Sequence, residues 1–542
     1  MKSGEISNKV EMKNKPLTVG TIALDKDTKA HHGAKAEEET IVDTVKVTGL
    51  YVGREYQLTG ELFNKTTGEL LKDKDGNVVK SEVKKFTATA DEMEVPVEFT
   101  VDSSEFTNDT TLVAYEYLAR AERFRDEDSD FPGEEFPKEL AKHEDPKDED
   151  QAVHYGGIVA TEALDQASKT HNILAGEEVV LVDKVKFENL SPNQEYKLEG
   201  ELYDKTTGEL LGVSAEMSFT PETADGEVEM EFYFDSSELK NHDLVVFETL
   251  LVNDIIVHEH KNPDDEKQTV HVPEIKTVAT DAKTGEHVSL ASKNISIKDT
   301  VEYKNLIPGT EYTMTGTLMD KSTGKPVMDN GKAVTASQKF IPEAKDGSVE
   351  ITFTFNGVKL AGTTVVAFED CKVNDASVAV HADINDAPQS VDLPKIGTKA
   401  ALVGKKVKDT VTYENLKPGT YVMKGWLVNT KTGKKLSGSD GEKKFTITDN
   451  GSGKIVVELP VAHYGKIHGV KLTAFEELYL VKEDKEILIA EHKDQKDNGQ
   501  TVKIPGGPKT GDTHELVLYG FIAILAAAAL TMISVRRRRT DK

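Results

Sequence analysis

Apolar and polar residues alternate with a period of two along most of this chain. Val228, Met230, Phe232 and Phe234 alternate with polar neighbours, as do Val349, Ile351, Phe353 and Phe355, and again Ile455, Val457, Leu459 and Val461. Side chains two apart share one face of a strand, so this pattern predicts strands with one buried and one wet face. The strings TTGE, STGK and KTGK lie between apolar runs and predict hairpin turns. The alternation recurs in four related segments. They open DTVKVTGL, DKVKFENL, DTVEYKNL and DTVTYENL, and close on Gln151, Gln268, Gln389 and Gln500. A period of about 115 residues suits a whole small domain rather than a solenoid repeat. The prediction is an all-β chain of tandem immunoglobulin-like β-sandwich domains, at 17–153, 154–272, 273–392 and 393–504, after a polar segment at 1–16. Short linkers around Pro273, Pro394 and Pro505 favour a stiff rod.

The C-terminus breaks the pattern. Residues 516–535 read LVLYGFIAILAAAALTMISV without a charge, long enough for one transmembrane helix, and Arg536 to Arg539 open a basic tail at 536–542. Four arginines after the span place that end in the cytoplasm and everything before it outside. The linker at 505–515 holds GPKTG, Gly507 to Gly511. The order of short motif, apolar helix and basic tail resembles the sorting signal of Gram-positive surface proteins. The resemblance implies that a sortase cuts between Thr510 and Gly511 and joins Thr510 to peptidoglycan. Gly507 stands where that signal usually has Leu. The first residues, MKSGEISNKVEMKNKP, have no apolar core of a secretory signal, so the start reads as truncated or misassigned.

Composition narrows the function. Lys and Arg number 67 against 95 Asp and Glu, a net charge of −28, which excludes a nucleic-acid binder needing a basic footprint. A single Cys, Cys371, rules out an intrachain disulfide and reads, like Trp426, as core. Aromatics are only 6%, so each core is thin and gains from any covalent closure. The acidic stretch from Ala121 to Leu140 reads as a surface loop of the first copy.

One constellation repeats at fixed spacing. In each copy a His lies eight positions, and an Asp three positions, before the closing Gln. The sets are His143, Asp148, Gln151; His260, Asp265, Gln268; His381, Asp386, Gln389; and His492, Asp497, Gln500. Strands ending VAYE, VVFE, VAFE and TAFE add Glu116, Glu248, Glu369 and Glu476. A Glu among Val and Phe is desolvated, and a nearby Asp raises its pKa further. Thr44, Thr300 and Thr410 follow an Asp in what reads as the first strand of their copies, and the second copy has Lys184 there. A hydroxyl, a carboxamide, a base and a carboxyl pair are the parts of an acyl transfer that expels ammonia.

These residues resemble Gram-positive surface proteins with VaFE-type repeats, whose domains are similar to the intramolecular ester-bond domains of clostridial adhesins. The resemblance runs from about Leu17 to Lys542. It implies Thr–Gln esters formed with help from His, Asp and Glu, matched here as Thr44–Gln151, Thr300–Gln389 and Thr410–Gln500. In copy two it leaves either a Lys184–Gln268 amide or an unlinked domain with Lys184 paired to Glu248 or Asp265. The whole is then a wall-anchored stalk or adhesin-like protein. Its partners are sortase, peptidoglycan and a host surface ligand, and it meets the membrane through the C-terminal helix before processing. It needs no cofactor or metal and has no turnover activity. The competing readings are a metal-binding extracellular β-repeat protein without cross-links, since His with Asp can hold zinc or calcium, and a hydrolase.

Overall fold

The computed structural model describes residues 16–121 and 138–506. Most of the acidic stretch after Ala121, the Thr510–Gly511 step and the apolar run at 516–535 lie outside the described residues. Among the described residues no helix is long and apolar enough to cross a membrane.

All the sheets of the described residues are antiparallel, and each copy builds two main ones; the third copy adds a two-stranded ribbon, Met328–Asp329 with Lys332–Ala333. One is three-stranded. Its central strand carries an inward Asp and runs Glu39–Thr48, Val179–Glu188, Ile295–Lys304 and Lys406–Leu416 in the four copies. It lies between an opening strand (Thr18–Asp25, Gly157–Asp165, Glu274–Asp281, Lys395–Val403) and a later strand (Glu92–Val101, Gly226–Phe234, Gly347–Phe355, Gly451–Pro460). The larger sheet centres on a strand bearing the Glu: Thr111–Arg120, His242–Val252, Thr363–Val373 and Lys471–Lys482. It pairs with the strand ending in the His and with the short closing strand after the Gln.

The period-two pattern decides what lies between the sheets. Glu92–Val101 buries Val95, Val97, Phe99 and Val101 and exposes the residues between them. Each copy has its own apolar cluster of this kind, and Cys371 is fully buried in the third. Trp426 departs from expectation. It lies on the outer face, half-buried, with the ammonium groups of Lys435 and Lys493 at 5.1 and 5.5 Å from its ring.

Candidate active site

Each site lies where the two sheets of a copy face each other. From the larger sheet come Glu116, Glu248, Glu369 and Glu476, all buried although the residue type is charged. Each Glu stands opposite its His in register: His143, His260, His381 and His492. A Gly faces the same Glu from the other side, at Gly60, Gly200, Gly316 and Gly425. A Cβ on Gly200 or Gly316 would lie 2.5 Å from the Phe232 or Phe353 ring. The glycine thus lets an apolar side chain of the opposite sheet close over the carboxyls.

After the His strand the chain turns, and the turn is tied by its own Asp. His260 Nε2 is 3.0 Å from Asp265 Oδ2 and His381 Nε2 is 2.9 Å from Asp386 Oδ2. The corresponding separations are 3.3 Å for His143–Asp148 and 3.6 Å for His492–Asp497. This folding-back delivers Gln151, Gln268, Gln389 and Gln500 into the interior, where none is exposed. Gln151 Nε2 donates to Glu116 Oε2 at 2.8 Å, Gln389 Nε2 to Glu369 at 2.5 Å and Gln500 Nε2 to Glu476 at 2.7 Å. Gln268 Nε2 instead donates to Asp183 Oδ1 at 3.0 Å. The structure therefore brings together the His, Asp, Glu and Gln expected in every copy.

The residues expected as nucleophiles lie elsewhere. Thr44, Thr300, Thr410 and Lys184 each follow an inward Asp by one position, and one step along a strand reverses the face. Thr44 pairs with Ile22 and Thr300 with Val278, both exposed residues. Thr410 pairs with the exposed Lys399. Lys184 forms an ion pair with Glu229 at 3.3 Å on the solvent side. It contacts neither Glu248 nor Asp265, so both readings of copy two that rested on Lys184 lapse.

What faces the Gln is the preceding Asp, at Asp43, Asp183, Asp299 and Asp409, every one fully buried. On the inward face of the adjacent opening strand stand Thr21, Thr161, Thr277 and Thr398. The Thr21 hydroxyl donates to Asp43 Oδ1 and the Thr277 hydroxyl to Asp299 Oδ1. The opening strand also runs beside the Gln turn. Ala163, Ala279 and Ala400 donate their N–H to the carbonyls of Lys267, Pro388 and Gly499, the residues just before each Gln, at 2.9 to 3.0 Å. In sequence the signal was the string T-x-A in all four opening strands, copy two included.

Electrostatics fix the state of the carboxyls. Burial, and then the Asp beside it, push the Glu carboxyl far above its usual range in every copy, to about 11 for Glu248. Burial also raises Asp43, Asp183 and Asp299. Two carboxyls this close and dry hold one proton between them. Asp43 Oδ2 with Glu116 Oε1, and Asp299 Oδ2 with Glu369 Oε1, are buried atoms without another partner, placed for that shared proton. The Gln carbonyl oxygen Oε1 is likewise buried and unpartnered in all four copies. Among the described residues no group of three or more His, Cys, Asp or Glu is placed to hold a metal ion.

A family defined by this chemistry, the T-Q ester bond containing domain, matches residues 17–155, 157–272, 273–393 and 395–504. The chain belongs to that family. No curated protein sequence matches it. Among solved structures, a bacterial adhesin from Mobiluncus mulieris, described as containing intramolecular disulfide, isopeptide and ester bond cross-links, is 18% identical. The match covers 38% of this chain and 80% of that one at a TM-score of 0.19. A glycosyl hydrolase family 2 member from Bacteroides cellulosilyticus is 8% identical over 83% of this chain and 92% of its own, at a TM-score of 0.18. At such scores neither likeness carries an argument about function. Each T-Q domain of this chain has one Thr, one Gln and one Asp–Glu pair converging from the two sheets.

Proposed function

We propose that the chain is a surface-anchored, adhesin-like stalk whose four T-Q domains each close on a self-formed ester. The bonds are Thr21–Gln151, Thr161–Gln268, Thr277–Gln389 and Thr398–Gln500. The observation that supports this most directly is a buried Gln amide held against an Asp–Glu pair whose Asp, in two copies, accepts the Thr hydroxyl. The Thr oxygen attacks the Gln Cδ as its proton passes to the Asp. The proton shared by the pair moves through the Glu onto Nε2, the C–N bond breaks and ammonia leaves. The Asp then holds the proton that the Glu gave up, so the pair is unchanged overall and each site acts once. The His–Asp tie holds the turn that presents the Gln.

Closing about 100 residues or more into a loop stabilises each thin-cored domain by about 4 to 5 kcal/mol, by analogy with a disulfide. The apolar cover over the carboxyls keeps water from hydrolysing the ester. The sequence beyond 506 supplies the anchoring part of the proposal: sortase cleavage at Thr510–Gly511, attachment to peptidoglycan, and a membrane-spanning run at 516–535 before processing. A ligand on a host surface completes the reading as an adhesin-like stalk.

Single substitutions test the assignment. Thr21→Val, Thr161→Val, Thr277→Val and Thr398→Val each restore one ammonia, about 17 Da, to the intact mass. Thr44→Val, Thr300→Val, Thr410→Val and Lys184→Ala leave it unchanged. A mass gain in the second group, or none in the first, removes the assignment.

A further inference from the structure

The three junctions between copies repeat one contact that the cross-linking chemistry does not use. At the end of each Asp strand the second, third and fourth copies carry Asn189, Asn305 and Asn415, each with a left-handed backbone at φ 55° to 60°. In every case the side-chain Nδ2 donates to a carbonyl of the preceding copy: Thr110 at 2.8 Å, His242 at 2.8 Å and Thr363 at 2.7 Å. Those three carbonyls are equivalent, each six positions before its Glu. In the first and third junctions the amide oxygen is engaged as well. Asn189 Oδ1 accepts from the Thr111 hydroxyl at 2.9 Å and lies 3.1 Å from His154 Nδ1, and Asn415 Oδ1 is 3.4 Å from the Thr364 hydroxyl.

A second repeated contact lies beside the first. The Tyr196 hydroxyl is 2.9 Å from His32 Nδ1 of the first copy, and the Tyr312 hydroxyl donates to Asn172 Oδ1 of the second at 3.1 Å. Both rings are buried. In the third junction the position equivalent to His32 and Asn172 is Val288, which packs against the core of the fourth copy. An ion pair is added at the second and third junctions: Lys345 to Asp243 at 2.6 Å and Lys482 to Glu286 at 2.7 Å. The first copy follows no other copy within this sequence, and there the Asn position is Gly49, with φ 81°.

We propose that this Asn is an inter-domain latch, and that with the neighbouring Tyr or Val contact it locks consecutive T-Q domains into one fixed orientation. Its partner surface is the end of another T-Q domain that offers the carbonyl six residues before the Glu. The left-handed backbone turns the amide out of its own domain; its N–H is met by the neighbour in all three junctions, and its oxygen in the first and third. The latch sits at the start of the Glu strand, so it grips the same strand that holds the cross-linking carboxyl.

The test is the triple variant Asn189→Gly, Asn305→Gly, Asn415→Gly in the four-domain chain. Gly keeps the left-handed backbone, as Gly49 does, and removes only the amide. The expected result is an intact mass with the same number of ammonia losses as the parent. Small-angle scattering should show a shorter, broader distribution of maximum dimensions, and inter-domain residual dipolar couplings should average toward zero. Asn305→Asp should loosen the second junction alone, because a carboxylate cannot donate to the His242 carbonyl and lies against Asp243. Unchanged scattering and couplings in the triple variant, with the ester count intact, would overturn the latch. A changed ester count with unchanged scattering would also overturn it, and would place Asn in the domain interior instead.

Discussion

In the third copy Asp299 accepts from the Thr277 hydroxyl while Glu369 accepts from the Gln389 amide, and the two carboxyls share one environment. The proton therefore has a route from the attacking oxygen to the leaving nitrogen without crossing water. Glu248→Gln preserves the shape of the site but offers no transferable proton. Copy two of that variant should condense at least about 100-fold more slowly, the usual weight of a positioned acid–base group. A mass time course after refolding reads this directly. Among the buried acids outside the sites, Glu39 is shifted upward most clearly. Glu39 receives the Tyr155 hydroxyl at 2.9 Å, and burial pushes its carboxyl up to about 8. Its native pKa is raised, so its stabilising contribution is complete below the unfolded value near 4.5 and is lost as pH rises through about 8. The melting temperature of the first domain should fall across that window, and Glu39→Gln should flatten the fall. Val179 and Ile295 occupy the position in copies two and three, so those domains should not show it.

At the scale of the strand, the face of a residue outweighs its identity. The repeated Gln, Glu, His and Asp were legible because four drifting copies kept their spacing, and the period-two runs announced a sandwich. The nucleophile was not legible in the same way. Asp43 and Thr44 are adjacent, both polar, and lie in a strand whose burial alternates at every step. Asp43 shares its face with Ile41, Val45 and Val47, so the alternation itself turns Thr44 outward; that Thr21 of Thr18–Asp25 stands beside Asp43 is set by strand pairing, a tertiary fact. Trp426 follows the same rule: its size suggests core, but its position in Gly419–Asn429 faces outward. The glycine opposite each Glu belongs to this scale too. Gly316→Ala would force a Cβ to within 2.5 Å of the Phe353 ring. It should destabilise the third copy by about 1 to 3 kcal/mol, measured by denaturant unfolding in a Thr277→Val background where no ester masks the loss.

Across the whole molecule the four proposed bonds rearrange how force travels. Nine residue steps separate Gln268 from Thr277 and nine separate Gln389 from Thr398, with ten from Gln151 to Thr161. Tension applied at the ends then passes from ester to ester through these short links and bypasses the interior of every domain. Single-molecule stretching of the parent chain should show no domain unfolding. The Thr277→Val variant should release the loop from residue 277 to residue 389 as one added step of about 370 to 400 Å. The junction Asn residues act at the same scale, holding direction where the esters hold length.

The central claim is that Thr on the opening strand is acylated by the closing Gln in each copy. Intact mass of residues 16–506, followed by peptide mapping, tests it most directly. The account predicts four ammonia losses and four branched peptides, joining Thr21 to Gln151, Thr161 to Gln268, Thr277 to Gln389 and Thr398 to Gln500. The full uncondensed mass, or branches at Thr44, Lys184, Thr300 or Thr410, would contradict it.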